Sequence, residues 1–150
     1  MKLFCSIAAV TLTLIAAAPA SAQFAKPDDA LKYRQSVMFL QSQHLGRIAG
    51  QLRADKPDLQ AVAENAAVLD TVNKLFATAF PANSEGVGNS RALPAVWKEP
   101  DKFKQNIATL NGQMAKLLAA SRGNDLAGTR AAFNDVRQTC GSCHDTFRRE

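Results

Sequence analysis

Towards its end the chain carries Cys140-Gly141-Ser142-Cys143-His144, two thiols separated by two residues and followed directly by an imidazole. This C-x-x-C-H pattern is the attachment signature of a c-type haem. The thiols add across the two porphyrin vinyl groups, and the adjacent histidine lies under the iron as proximal ligand. One helical turn thus fixes both the covalent link and the axial bond. Two other chemistries use paired cysteines. A thioredoxin-like dithiol needs its C-x-x-C beside a βαβ pattern, whereas here the motif ends a chain that reads as helical. A zinc site needs further Cys or His at metal spacing, and outside the motif and the leader described next only His44 is left. The residues point to one covalently bound haem c with His144 as the iron ligand.

Residues 1–22 read as a cleaved signal peptide. Met1-Lys2 is a short positive start, Leu3 to Ala18 carries no charge, and Ala20-Ser21-Ala22 places small residues at the −3 and −1 positions of a cleavage site. The apolar run is shorter than the ~20 residues a spanning helix needs, and no second one follows, so no membrane insertion is expected after cleavage. The mature chain, 23–150, is expected to form one domain in the periplasm. Cys5 leaves with the leader, so the mature thiols are Cys140 and Cys143 alone, too close in sequence for a framework disulfide of any reach. Of the 18 Lys+Arg and 13 Asp+Glu only Lys2 is lost, which lowers the formal net charge from +5 to +4. With the two signs interspersed, that excess gives weak support for an acidic partner and none for nucleic acid.

The elements that must position the motif are helices. Hydrophobic content is 47%, aromatics are few, and Val and Ile runs are scarce, which disfavours a sheet. A first helix is expected over Pro27–Leu52, with Pro27 in the first turn and Asp28 and Asp29 where the helix dipole favours negative charge. Its stripe of Leu31, Met38, Leu45, Ile48 and Leu52 is interrupted by Arg34 and Gln41, two inward polar residues that need a reason. A second helix starts behind the cap Asp58 and carries apolar residues at spacings of three and four to Ala79, where Phe80-Pro81 ends it. From Pro81 to Pro100 no period is visible, and a loop of that length has a functional or packing role. A third helix spans about Asp101–Ser121. Gly123 breaks the chain, and Asn124 is expected to cap a fourth helix running through Phe133, Val136, the haem motif and Phe147. The expected fold is all-α, an antiparallel four-helix bundle with covalently bound haem c.

The partner on the other face of the iron decides the function, because electron carriers usually add a Met or His to the proximal imidazole. His44, Met38, Met114 and the lysines are the available groups. Met38 lies on the inward stripe, where it could equally be a flexible core filler.

Several stretches resemble the cytochrome c′ family of class II c-type cytochromes. They are the start Gln23-Phe24-Ala25-Lys26-Pro27, the run Lys32-Tyr33-Arg34-Gln35-Ser36, Leu45-Gly46-Arg47, Pro94-Ala95-Val96-Trp97, the late C-x-x-C-H, and Phe147-Arg148. The resemblance covers the mature chain in order. It implies five-coordinate, high-spin iron whose distal face is closed by an apolar side chain of the first helix, here Met38. It further implies that Arg34 and Gln35 contact the haem edge and propionates, that Ser90 and Arg91 form a second polar stretch nearby, and that Arg148 is the basic residue beside the proximal histidine. Trp97 and Phe103 are expected in the core. A homodimer through the first two helices is also implied, with Val37, Leu40 and Val68 as apolar residues off the main stripes. Low-spin relatives place a ligating Met about one turn earlier, where this chain is polar, so a vacant sixth position is favoured over Met ligation.

Two function classes follow from the resemblance. One is a protein that binds small neutral diatomics, NO or CO, in an apolar pocket that offers bound dioxygen no hydrogen bond. The other is an electron carrier serving periplasmic redox partners, either with open iron or as a low-spin six-coordinate cytochrome with a Met ligand. No enzyme is expected, since a peroxidase-like site needs placed acid–base groups over the iron and Arg34 is the sole candidate.

Overall fold

The computed structural model describes residues 24–150, so the expected leader and Cys5 lie outside it. Four long helices form the bundle: α1 (Pro27–Arg53), α2 (Leu59–Lys74), α4 (Pro100–Arg122) and α5 (Leu126–Phe147). A single turn, α3 (Ala95–Lys98), lies in the long connection between α2 and α4. Short connections after α1 and after α4 force antiparallel neighbours, and α1 packs on α2, α2 on α4 and α4 on α5.

Local chemistry sets the boundaries. Pro27 opens α1 where a missing N–H costs nothing, with Asp28 and Asp29 in the first turn. Asp58 caps α2 by accepting from Ala61 N at 3.0 Å. The α-helical part of α2 stops earlier than its apolar period suggests, and Leu75–Thr78 tightens into a 3₁₀ turn ahead of Pro81. The connection expected to lack structure contains α3 and a further 3₁₀ turn at Ala82–Ser84. The expected cap of α5 needs correction. Asp125 is the N-cap, its Oδ1 accepting from Gly128 N at 2.9 Å, while Asn124 adopts a left-handed φ of 56° that ends the preceding helix. An asparagine suits that conformation better than most residues, because its short polar side chain tolerates it. A Cβ on Gly128 would meet the capping carboxylate as it is placed, so a larger residue there would require Asp125 to shift its side chain.

Two apolar clusters share the core. One joins Ile48, Leu52, Val62, Leu69, Met114, Leu117, Phe133 and Val136. The other joins Val37, Val72, Phe76, Val96, Phe103, Ile107 and Phe147, with Met38, Phe80 and Trp97 against it. Two hydrogen bonds, the first buried and the second partly so, cross the bundle as a polar ladder: Gln41 Nε2 donates to Asn73 Oδ1 at 2.8 Å, and Asn73 Nδ2 donates to Asn111 Oδ1. This explains the inward Gln41, since a buried amide is tolerated when it is hydrogen-bonded. Val37, expected off the core stripe, is only 3% exposed and belongs to the second cluster. The exposed large apolar side chains among the described residues are Phe39, Leu40, Val68 and Leu75, all on α1, α2 or the turn after it.

Candidate haem site

On α5 the i, i+3, i+4 spacing of Cys140, Cys143 and His144 places the three side chains on one face. Cys143 and His144 line a cavity of about 480 Å³. Phe147 and Arg148 extend this wall. The facing α1 wall is Leu31, Arg34, Gln35, Met38, Phe39 and Ser42, the floor is Phe76, Phe80, Val96 and Phe103, and the rim is Asn89, Ser90, Arg91 and Ala92. Cys140 is the one candidate residue outside this lining. It sits a turn earlier and packs against the first cluster, whereas Cys143 packs against the second.

The environment holds all three groups of the motif neutral. Burial pushes the Cys140 thiol up, and burial together with Cys140 pushes Cys143 to about 11. Burial, reinforced by Arg148 and Arg91 and opposed by Asp145, pulls the His144 imidazole below its usual value. A neutral imidazole keeps a lone pair for a metal at ordinary pH. Thiols held neutral are a poor match for the low-pKa thiolate of a redox dithiol. Among the described residues no group of three or more His, Cys, Asp or Glu side chains could hold a metal ion, and no named strand occurs. The zinc and thioredoxin-like alternatives therefore find no support.

The opposite wall narrows the choice of a second iron ligand. His44 does not line the cavity. Its Nδ1 donates to Asn65 Oδ1 at 2.8 Å across the α1–α2 seam, an assignment fixed because Asn65 Nδ2 already donates to Ala61 O. Met114 is buried in the first cluster, and no lysine lines the cavity. Met38 is the thioether that reaches it.

Arg34, buried to 4% exposure, has protein partners of its own. Its Nη1 donates to Ser84 Oγ at 3.0 Å, and its Nη2 to Ser84 O at 3.1 Å and Ser90 Oγ at 3.0 Å. The guanidinium lies 5.3 Å from the Phe80 ring centre and 5.8 Å from that of Trp97. Gln35 Nε2 donates to Asn89 Oδ1 at 3.0 Å. Trp97 is a wall-backing residue, its indole N–H donating to Pro81 O at 3.1 Å, while Phe103 is both core and lining. Phe39, Ser42, Phe76, Phe80 and Ser84 escaped the sequence reading. The spacing Leu31, Gln35, Met38, Ser42 was a usable signal for one of them, since it follows a single helical face.

The residues present fit a haem. A largely apolar cavity carries thiol and imidazole on one wall, edge-to-face phenylalanine rings against it and arginines at the rim, which suits an apolar macrocycle with two carboxylates. The family model "Cytochrome C'" matches residues 29–148. Cytochrome c' from Alcaligenes xylosoxydans xylosoxydans is 40% identical over 129 residues, spanning 85% of this chain and 99% of the relative. The crystal structure of cytochrome c' from Rubrivivax gelatinosus superposes with a TM-score of 0.79 at 37% identity, over 85% of this chain and all of that one. A nitric oxide complex of a cytochrome c prime variant from Alcaligenes xylosoxidans gives the same TM-score at 38% identity, covering 85% of this chain and 99% of that one. A carbon monoxide-bound variant from that source gives the same TM-score and identity, over 85% and 100% of the two chains.

Proposed function

Because the chain belongs to the cytochrome c′ family, we propose that it is a periplasmic haem protein with five-coordinate, high-spin iron that binds NO or CO and exchanges electrons with periplasmic redox partners. On this reading residues 1–22 are removed and 23–150 form one domain. Cys140 and Cys143 hold haem c covalently. His144 is the proximal ligand, kept in position by the helical turn that carries the thiols. When bound, the haem supplies an iron centre that takes up neutral diatomic gases and passes single electrons.

The observation that carries the proposal is the character of the α1 wall, where Met38 is the sole thioether and neither an imidazole nor a lysine faces the cavity. Met38 presents an apolar side chain to the distal side, and the Ser42 hydroxyl on the same wall is turned back to Phe39 O, so on this reading a gas displaces Met38 to enter. Arg34 is unsuited to acid–base work, since its N–H groups are engaged by Ser84 and Ser90, which speaks against peroxidase-like catalysis. Arg34 and Gln35 from α1, with Ser90, Arg91 and Arg148 at the rim, are on this reading the groups nearest the haem edge and its propionates. The exposed Phe39, Leu40, Val68 and Leu75 give α1 and α2 an apolar face suited to a homodimer, which sedimentation velocity at micromolar concentration tests. No helix among the described residues is long and apolar enough to cross a membrane.

Visible spectra of the purified holoprotein, ferric and dithionite-reduced, before and after CO, test the main reading. Broad high-spin bands that respond to CO are expected. Sharp low-spin bands indifferent to CO would instead make Met38 the sixth ligand and the protein a six-coordinate electron carrier. The presence of a thioether on the wall facing His144 keeps that second reading in play.

A further inference from the structure

Ser90 receives hydrogen bonds from both sides of the haem cavity. Its Oγ accepts from Arg34 Nη2 of α1 at 3.0 Å, and its carbonyl accepts from Arg149 Nη2, just beyond α5, at 2.8 Å. The hydroxyl also accepts from Ala92 N at 3.2 Å, and the residue is only 5% exposed. Each arm is reinforced. On the α1 side Arg34 also holds Ser84, and Gln35 holds Asn89. On the α5 side Leu93 N donates to Phe147 O at 2.9 Å, Arg149 N to Arg91 O at 2.8 Å, and Arg91 Nε to Arg149 O at 3.0 Å.

The tie matters because of how α1 and α5 meet elsewhere. At the other end of the bundle both helices contribute to one apolar cluster, and Arg130 Nη2 of α5 donates directly to Leu52 O of α1 at 3.1 Å. At the cavity end no hydrogen bond joins α1 to α5 among the described residues, and the segment 84–93 spans the gap between them. We propose that Ser90 is a positioning residue that fixes the separation of the α1 and α5 walls, and through it the aperture by which a small gas reaches the distal side. The aperture part rests on the gas-binding reading; the tie itself does not.

The test uses the reduced holoprotein and the variant Ser90→Ala, with Ser121→Ala as control. Ser121 is a buried serine in α4 whose Oγ donates to Leu118 O away from the cavity. In Ser90→Ala, which loses the hydroxyl's bonds from Arg34 and from Ala92 N, amides of residues 84–93 and of both walls, 34–42 and 140–148, should exchange about five- to tenfold faster, the scale of losing the buried Arg34 bond. CO association after flash photolysis should accelerate by a similar factor, and Ser121→Ala should change neither. Unchanged wall protection in Ser90→Ala would overturn the tie, whether or not CO binds. Loosened walls with an unaltered CO rate would overturn the aperture role. If Ser90→Ala yields no holoprotein, Arg34→Lys, which keeps the charge and loses the fork, is read by the same two measurements. A wild-type protein indifferent to CO would sink the gas-binding reading and leave the exchange result to decide the tie.

Discussion

The two ends of the bundle solve different problems with the same four helices. The end around Leu69, Leu117 and Val136 is aliphatic and closed, with those side chains almost fully buried. The end around Phe76, Phe103 and Phe147 is aromatic and encloses a cavity. Its rings meet edge to face: the Phe103 and Phe147 centroids are 5.1 Å apart and those of Phe80 and Phe103 5.0 Å apart. The aliphatic side chains fill their half of the core to native density, whereas the rings line a cavity large enough to take a ligand. The ladder from Gln41 through Asn73 to Asn111 crosses the core as a polar layer. The difference teaches that stability and cofactor binding are assigned to separate halves of one core.

The strongest way to break this comparison is to remove the cofactor. In Cys140→Ala/Cys143→Ala the haem-stained band on a denaturing gel should disappear. Amide protection around Phe76, Phe103 and Phe147 should fall with it, while that around Leu69 and Leu117 persists. Equal loss at both ends would mean that the halves are not separable. Next in size, Leu69→Ala should cost about 2–5 kcal/mol in denaturant unfolding, as a fully buried truncation does, and leave the reduced spectrum and its CO response unchanged. A shifted spectrum would show that the closed end shapes the site. The smallest effect is expected from Met38→Ala. Met38 is half-buried on the α1 wall of the cavity, so on the gas-binding reading its truncation should speed CO association about tenfold, or about 1.4 kcal/mol, with little change in unfolding midpoint. A large loss of stability without faster CO entry would make Met38 a core filler.

Much of this was legible from local signals. The C-x-x-C-H motif identifies its own chemistry because the porphyrin dictates the spacing, and Pro27 and Asp58 mark helix starts because unsatisfied backbone N–H groups demand them. The cap of α5 was misread at Asn124 because two adjacent residues of similar preference, Asn124 and Asp125, divide the jobs of ending one helix and starting the next. Val37 was misplaced because periodicity along α1 cannot show that the long connection, with Val96, covers a second face of the helix. Arg34 was flagged as inward, yet its partners Ser84 and Ser90 lie 50 and 56 residues away, a pairing no local pattern encodes.

The sequence by itself determined the helical class and the covalent haem, since these depend on residue type and on spacing within a turn. Tertiary structure alone decided which of Met38, His44 and Met114 reaches the cavity, and that the segment 84–93 ties its walls together. Those outcomes depend on how helices distant in sequence face one another, and that orientation is set by packing of the whole core.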